Sequence, residues 1–222
     1  MRSRTTWIEV PLSFLAALVV LVMANKQYLN QAQLNHINRT DGIVLLLFFC
    51  IFLAYSFHSI SSDQDGEVQT IKIHSVFRSW LYVLIGLVLL TIGGRLIVAA
   101  AVRVAQNIGM SERIIALTII SIGTSLPELA TSAVAASKRN VDIAIGNIVG
   151  SNIFNLFFIL GISTVVYPAE VPASANIDLL INAAASLLLF ALIFIGRGRR
   201  VDRKEGAVFV LLYTAYMLYL LL

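Results

Sequence analysis

Glu128 is a carboxylate inside an otherwise apolar stretch, and hydroxyl-bearing residues surround it at helical spacing. In SIGTSLPELATS, which begins at Ser121, residues Ser121, Thr124, Ser125, Glu128 and Ser132 fall on one face of a helix, because positions three and four apart lie over one another. Thr118 and Thr131 lie near the edges of that stripe. Pro127 has no N–H, so within a helix it leaves the carbonyl of Gly123 without its partner. Gly123 itself loosens the chain locally. The spacing therefore predicts a helix that breaks here and frees a carbonyl. A carboxylate, several hydroxyls and a free carbonyl form a hard, oxygen-rich set. Such a set suits Ca²⁺ and, with fewer oxygens engaged, Na⁺. No thiolate or imidazole is close in sequence, which disfavours a soft-metal site. Two plainer readings of Glu128 are an ion pair with Arg95 or Arg113, and a protonated carboxyl packed against a neighbouring helix.

The next apolar run contains GNIVGSNIFN, from Gly146, in which Asn147, Ser151 and Asn155 recur every four residues. Gly146 and Gly150 permit close approach of another backbone. Taken alone, this pattern is equally a packing face whose amides bond across helices. Beside a carboxylate on the preceding helix, it reads as the complementary part of a site. Asn152 falls off the main face and caps or bonds locally.

These residues need a bilayer around them, and the composition supplies one. Of 222 residues, 59% are hydrophobic and 13% charged, against about 25% charged in a soluble domain. The net charge of +4 does not indicate nucleic acid, because the basic residues gather between apolar runs. A membrane-spanning helix needs about 20 mostly apolar residues. Seven runs qualify: 9–24, 43–59, 79–102, 113–136, 143–166, 177–195 and 207–222, with the fourth and fifth interrupted. The first follows a basic start like that of a signal peptide, but no good small-residue cleavage site comes after it, so it reads as a retained helix. Two linkers are long. Residues 25–41 are rich in Asn and Gln and include an Asn38-Arg39-Thr40 glycosylation sequon. Residues 60–78 carry Asp63, Asp65 and Glu67, which lack the spacing of a calcium-binding loop and read as a solvated acidic linker. The single cysteine, Cys50, offers no disulfide and reads as a buried, inert thiol. His36, His58 and His74 show no ligand-like spacing.

Counting crossings from an inside N-terminus puts Arg2, Arg4, Lys72, Arg78, Lys138 and Arg139 inside. Arg197, Arg199, Arg200, Arg203 and Lys204 join them. Lys26, Arg39, Arg95, Arg103 and Arg113 fall outside or at edges, with Arg95 able to snorkel to the interface. The bias predicts the N-terminus inside and the C-terminus outside. An internal echo accompanies this: INRTDGIVLLLFFCIFLAYSF, from Ile37, parallels VDRKEGAVFVLLYTAYMLYLL, from Val201. Asp41-Gly42 corresponds to Glu205-Gly206, and Tyr55 to Tyr219. By the count, the two copies cross in opposite directions, the mark of an inverted-topology repeat.

GTSLPELATSAVAA, from Gly123, followed by DIAIGNIVGSNIFNLFFILG, from Asp142, resembles the second alpha-repeat of the cation/calcium exchanger superfamily, and most of all its prokaryotic sodium/calcium exchanger membrane proteins. The likeness extends over the whole chain, as its C-terminal portion. It implies an all-α polytopic membrane helix bundle of about seven spans, forming part of the ten-helix inverted-repeat exchanger fold. Residues 1–60 would be the two-helix end of a first repeat lacking its first three helices. Residues 61–78 would be a cytoplasmic linker, and 79–222 a complete five-helix second repeat. The implied function is Na⁺/Ca²⁺ antiport by alternating access, with Na⁺ and Ca²⁺ as transported ions, no organic cofactor, no enzymatic chemistry and no nucleic acid. Transferred by motif, Glu128 resembles the main carboxylate ligand. Thr124, Ser125, Ser151 and Asn155 resemble further ligands, and Ser121 a position whose carbonyl serves a sodium site. Asn155 stands where relatives have Asp, which removes a charge. A Ca²⁺/H⁺ exchanger and a truncated or assembly subunit without transport of its own are the competing readings. The expected partners are the lipid bilayer and a missing N-terminal half or second subunit. The expected location is a prokaryotic inner membrane.

Overall fold

The computed structural model describes residues 8–26, 35–61, 75–172, 175–195 and 201–221. Arg2, Arg4, Asp63, Asp65, Glu67, Lys72, His74, Arg197, Arg199 and Arg200 lie outside the described residues. Helices account for nearly all the regular structure. They are α1 (Val10–Ala24), α2 (Arg39–Ser61), α3 (Val76–Asn107), α4 (112–124), α5 (Leu126–Ser137), α6 (Val141–Val166), α7 (Ala175–Ile195) and α8 (Arg203–Leu221). Four of them, α2, α3, α6 and α7, are long and apolar enough to cross a membrane, and the bent pair α4–α5 makes a fifth. The molecule is an all-α polytopic membrane protein. At 32 residues, α3 is about 48 Å long. It must tilt or protrude from a hydrocarbon core of about 30 Å.

The helices begin before their apolar runs because polar residues cap them. Ser75 Oγ accepts the Arg78 N–H at 3.4 Å to start α3. Asn140 Oδ1 accepts the Ile143 N–H at 3.3 Å to start α6. Each bond satisfies a donor that the first helical turn leaves open. The far end of α3 closes on Gly109, whose φ of +81° is free only to glycine. Met110 N–H reaches the Ala105 carbonyl and Gly109 N–H the Gln106 carbonyl, both at 3.0 Å. These are the two bonds of a Schellman ending.

Contacts divide the chain into two packed units, 1–65 with 139–207 and 66–138 with 208–222. In the first, α1, α2, α6 and α7 surround a core of Val10, Val20, Leu45, Phe49, Ile153, Phe157 and Ile193. Lipid tails are as apolar as these side chains, so close van der Waals packing holds the helices together rather than transfer out of water. Phe48 stacks on Phe157 with ring centres 5.4 Å apart, and Phe49 meets Phe158 at 4.9 Å. The tightest crossing joins Gly42 of α2 to Gly161 of α6. A Cβ on Gly42 would come within 2.5 Å of Thr164 Oγ1 and 2.7 Å of the Gly161 carbonyl. The start of α2 meets the end of α6, so the two helices run antiparallel.

A short strap also belongs to this unit. β1 (His36–Ile37) pairs antiparallel with β2 (Ala169–Glu170), placing His36 opposite Glu170. His36 Nε2 lies 3.6 Å from Glu170 Oε1, and Lys26 forms an ion pair with Asp41. His36 therefore has a partner that its isolation in the sequence did not suggest. Cys50 is exposed on α2 and not buried as expected. The packed face of α2 runs through Gly42, Leu45 and Phe49, and the next residue projects about 100° round the helix.

The second unit packs α3 against the bent pair α4–α5. Gly123 sits directly under Val98, where a side chain on Gly123 would overlap Val98 Cγ2. Most of the remaining α3 surface is exposed and apolar, including Trp80, Leu84, Leu89 and Leu96.

Candidate cation site

The polar stripe on the fourth predicted span is built around a real break. α4 and α5 meet at 52°, and the joint is Ser125. Its φ of −93° and ψ of 1° lie in the bridge region between helix and strand. Ser125 N–H bonds to the Ile122 carbonyl at 3.1 Å, and the Ser125 carbonyl accepts the Leu129 N–H at 2.9 Å. The backbone of this one residue thus ends one half-helix and opens the next. Pro127 occupies the first turn of α5, where a missing N–H costs least. The break falls two residues ahead of the proline for that reason.

Glu128 is in the first turn of α5. The helix N-terminus carries partial positive charge, which favours a carboxylate there. Glu128 is half-buried, and its Oε2 atom is sealed from solvent. Ser125 and Glu128 have the spacing of a reciprocal capping box. The Ser125 side chain makes no capping bond, however, so its hydroxyl is not used to hold the helix end.

The threonines show where their protons go. Thr124 Oγ1 donates to the Ser121 carbonyl at 2.9 Å, Thr118 Oγ1 to Ile114 at 2.6 Å and Thr131 Oγ1 to Pro127 at 2.8 Å. A hydroxyl with its proton committed to the helix behind it presents only lone pairs forward. Thr124 is exposed at the break, so it is a ready acceptor-type ligand. The structure brings Ser121, Thr124, Ser125 and Glu128 together around the break, within one unit.

Ser151 and Asn155 lie on α6, in the other unit. Ser151 Oγ donates to the Ile148 carbonyl at 2.9 Å, repeating the arrangement of Thr124. Ser151 is half-buried and Asn155 exposed. α6 itself departs from expectation. The sequence predicts an interruption, yet the helix runs from Val141 to Val166 as one span. Without a proline every N–H remains available, and the helix absorbs the irregularity by widening to π-type bonding over Phe154–Ile159. Asn155 sits in that widened turn, and a second one, Ala116–Ile120, lies just ahead of the Ser125 break. Single π-turns inside α-helices concentrate at functional sites. Nothing in the local sequence marks either turn.

Glu9, at the start of the first span, has its Oε2 4.0 Å from where a Cβ on Gly146 would stand. The sequence placed this carboxylate at a helix start but gave no sign that it lies against α6, one residue from Asn147. Among the described residues, no group of three or more His, Cys, Asp or Glu side chains converges to hold a metal.

Comparison with known proteins gives consistent results. Residues 78–222 match the sodium/calcium exchanger protein family. The chain is 35% identical over 189 residues to CaxA of Alkalimonas amylolytica, covering 81% of this chain and 59% of that protein. It is 38% identical over 131 residues to the sodium/calcium exchanger MaX1 of Methanosarcina acetivorans, covering 59% of this chain and 37% of that one. The solved structure of the sodium/calcium exchanger from Methanococcus jannaschii superimposes with a TM-score of 0.70 at 26% identity, covering 96% of this chain and 63% of the solved one. The chain therefore spans less than two thirds of the length of these relatives.

Proposed function

Because this chain belongs to the sodium/calcium exchanger protein family, we propose that it is the second-repeat part of a Na⁺/Ca²⁺ antiporter working by alternating access. The observation that carries this reading is the Ser125 break, which gathers Glu128, Thr124 and two backbone half-helix ends in a membrane helix. Discontinuous helices of this kind form the ion sites of many secondary transporters. In the assembled site, Glu128 is the carboxylate ligand. Thr124, Ser125, Ser151 and Asn155 add oxygens, and the Ser121 carbonyl serves Na⁺. The protein makes and breaks no covalent bond. Its ions bind differently to inward-open and outward-open states, and the sodium gradient biases which ion crosses.

The proposed topology has seven spans, with the N-terminus inside and the C-terminus outside a prokaryotic plasma membrane. Residues 1–60 close a first repeat, 61–78 form a cytoplasmic linker and 79–222 form the second repeat. One carboxylate leaves Ca²⁺ with net positive charge in a medium of low dielectric, which is unfavourable. The working site therefore needs a first-repeat half bringing a second carboxylate, upstream in the same protein or on a companion subunit.

The test is ion flux in vesicles containing the intact protein. Ca²⁺ uptake that follows an outward Na⁺ gradient supports the proposal. Uptake that follows a proton gradient and ignores Na⁺ replaces it with Ca²⁺/H⁺ exchange. Absence of both fluxes leaves an assembly subunit without transport.

A further inference from the structure

Glu9 is a carboxylate that its own helix does not use. It stands at the N-cap of α1 with helical backbone angles, φ −68° and ψ −44°, and its side chain makes no capping bond. Ser13, Ala16 and Val20 follow it four, seven and eleven residues on, and all three are buried. Glu9 therefore heads the packed face of α1, and it is itself half-buried. Across from that face lies α6. Among the described residues outside α6, Glu9 Oε2 is the only atom within 4.0 Å of a Cβ built on Gly146. Gly146 leaves this place to the carboxylate, and a side chain longer than a methyl would take it. Asp142 stands one turn before Gly146 and Asn147 directly after it. Glu9, Asp142 and Asn147 each take part in a hydrogen bond, ion pair or electrostatic interaction. The crossing of α1 and α6 is polar at this level, in a unit whose core is otherwise apolar.

Asn147 and Ser151 share a face of α6, and Ser151 lies about 7.5 Å along the axis from Gly146. Beyond Ser151 the helix widens over Phe154–Ile159. The Gly42–Gly161 crossing sits on the far side of that irregular turn. On the near side Val149 and Ile153 are buried, but apolar packing is non-directional. It resists separation of the helices better than rotation or sliding. A carboxylate contact is directional and sets both. We propose that Glu9 is a positioning residue for the cation site: its carboxylate, lying against α6 at Gly146, fixes the rotation and axial register of the half-helix that carries Asn147 and Ser151. Glu9 touches no transported ion and acts through α6. The inference deepens the antiport reading and rests on it for the Ca²⁺ measurements below, but not for the hydrogen exchange.

The test compares Glu9→Ala, Glu9→Gln and Gly146→Leu with the unaltered protein in lipid vesicles. Hydrogen exchange of residues 141–153 reads the register of the half-helix directly. It should quicken in Glu9→Ala, while exchange in residues 160–166 stays as it was. Ca²⁺ uptake by the intact protein should then need about tenfold more Ca²⁺ for half-maximal rate, with the maximal rate little changed. Glu9→Gln keeps the length and an acceptor oxygen, so it should stay within about twofold of the unaltered protein. Adding Ser151→Ala to Glu9→Ala should cost less than the two single losses combined, because both act on one contact. Gly146→Leu displaces the carboxylate without removing it and should repeat the Glu9→Ala pattern, which keeps the test open if Glu9→Ala does not fold. Unchanged exchange in residues 141–153 in both Glu9→Ala and Gly146→Leu overturns the proposal. So does a Glu9→Gln loss equal to that of Glu9→Ala that fades at high ionic strength, which would make Glu9 a steering charge. Losses that add fully with Ser151→Ala also overturn it. The two readings fail separately: quickened exchange without sodium-driven flux removes only the antiport reading, and sodium-driven flux with unmoved exchange removes only the positioning role.

Discussion

Gly123 and Val98 meet so closely that no side chain fits between them. The contact joins α3 to the half-helix that ends at the Ser125 break, so it sets how the break is held. Gly123→Ala should destabilise the protein by about 1–3 kcal/mol through overpacking. Pairing it with Val98→Ala, which removes the overlapping methyl, should recover most of the loss. Thermal unfolding in detergent or lipid checks both variants. A single variant as stable as the unaltered protein would show that α3 is free to move away.

The crossing of Gly42 with Gly161 makes a second stability prediction. A methyl on Gly42 faces the backbone carbonyl of Gly161 as well as Thr164 Oγ1, and the carbonyl cannot rotate aside. Gly42→Ala should therefore cost about 1–3 kcal/mol, and hydrogen exchange should quicken in α2 and α6 together. Unchanged exchange in α6 would contradict the crossing.

Thr124→Val and Ser151→Ala remove hydroxyls whose protons are already committed to backbone carbonyls. Each loses an acceptor and little else. In the intact transporter, each should raise the Ca²⁺ concentration for half-maximal uptake on the order of tenfold, the scale of one contact to a charged group. Unchanged half-saturation in both would show that these oxygens face away from the ion.

Asn155→Asp restores a charge where the superfamily resemblance leads one to expect it. A second carboxylate near the ion should lower the Ca²⁺ concentration for half-maximal uptake and slow release, so that maximal turnover falls. Weaker Ca²⁺ use with faster turnover would place Asn155 outside the site.

The break at Ser125 was legible because proline has an unambiguous backbone consequence, and the acid and hydroxyls around it follow helical spacing. The parallel between Asp41-Gly42 and Glu205-Gly206 was legible because both stand at the starts of apolar runs, and both acids accept the backbone N–H three residues earlier. The continuity of α6 was not legible. Gly146 and Gly150 look like breakers, yet a helix in lipid tolerates glycine when its hydrogen bonds remain intact. The widened turns at Ala116–Ile120 and Phe154–Ile159 leave no local signature. The pairing of His36–Ile37 with Ala169–Glu170 joins residues far apart in the chain, and neither segment reads as a strand alone. Cys50 was misplaced because an apolar run shows that a residue is in the membrane but not which side of its helix meets the core.

The central claim is that Glu128 holds the transported cation. The most direct measurement is Ca²⁺ uptake into Na⁺-loaded vesicles by the intact protein and its Glu128→Gln variant, over a range of Ca²⁺ concentrations and at matched membrane levels. Glutamine keeps the shape and removes the charge. The account predicts that uptake is abolished or falls by at least about a hundredfold, the cost of losing a charged partner in a desolvated site. Uptake by Glu128→Gln at the unaltered rate across all concentrations would contradict it and assign Glu128 a structural role.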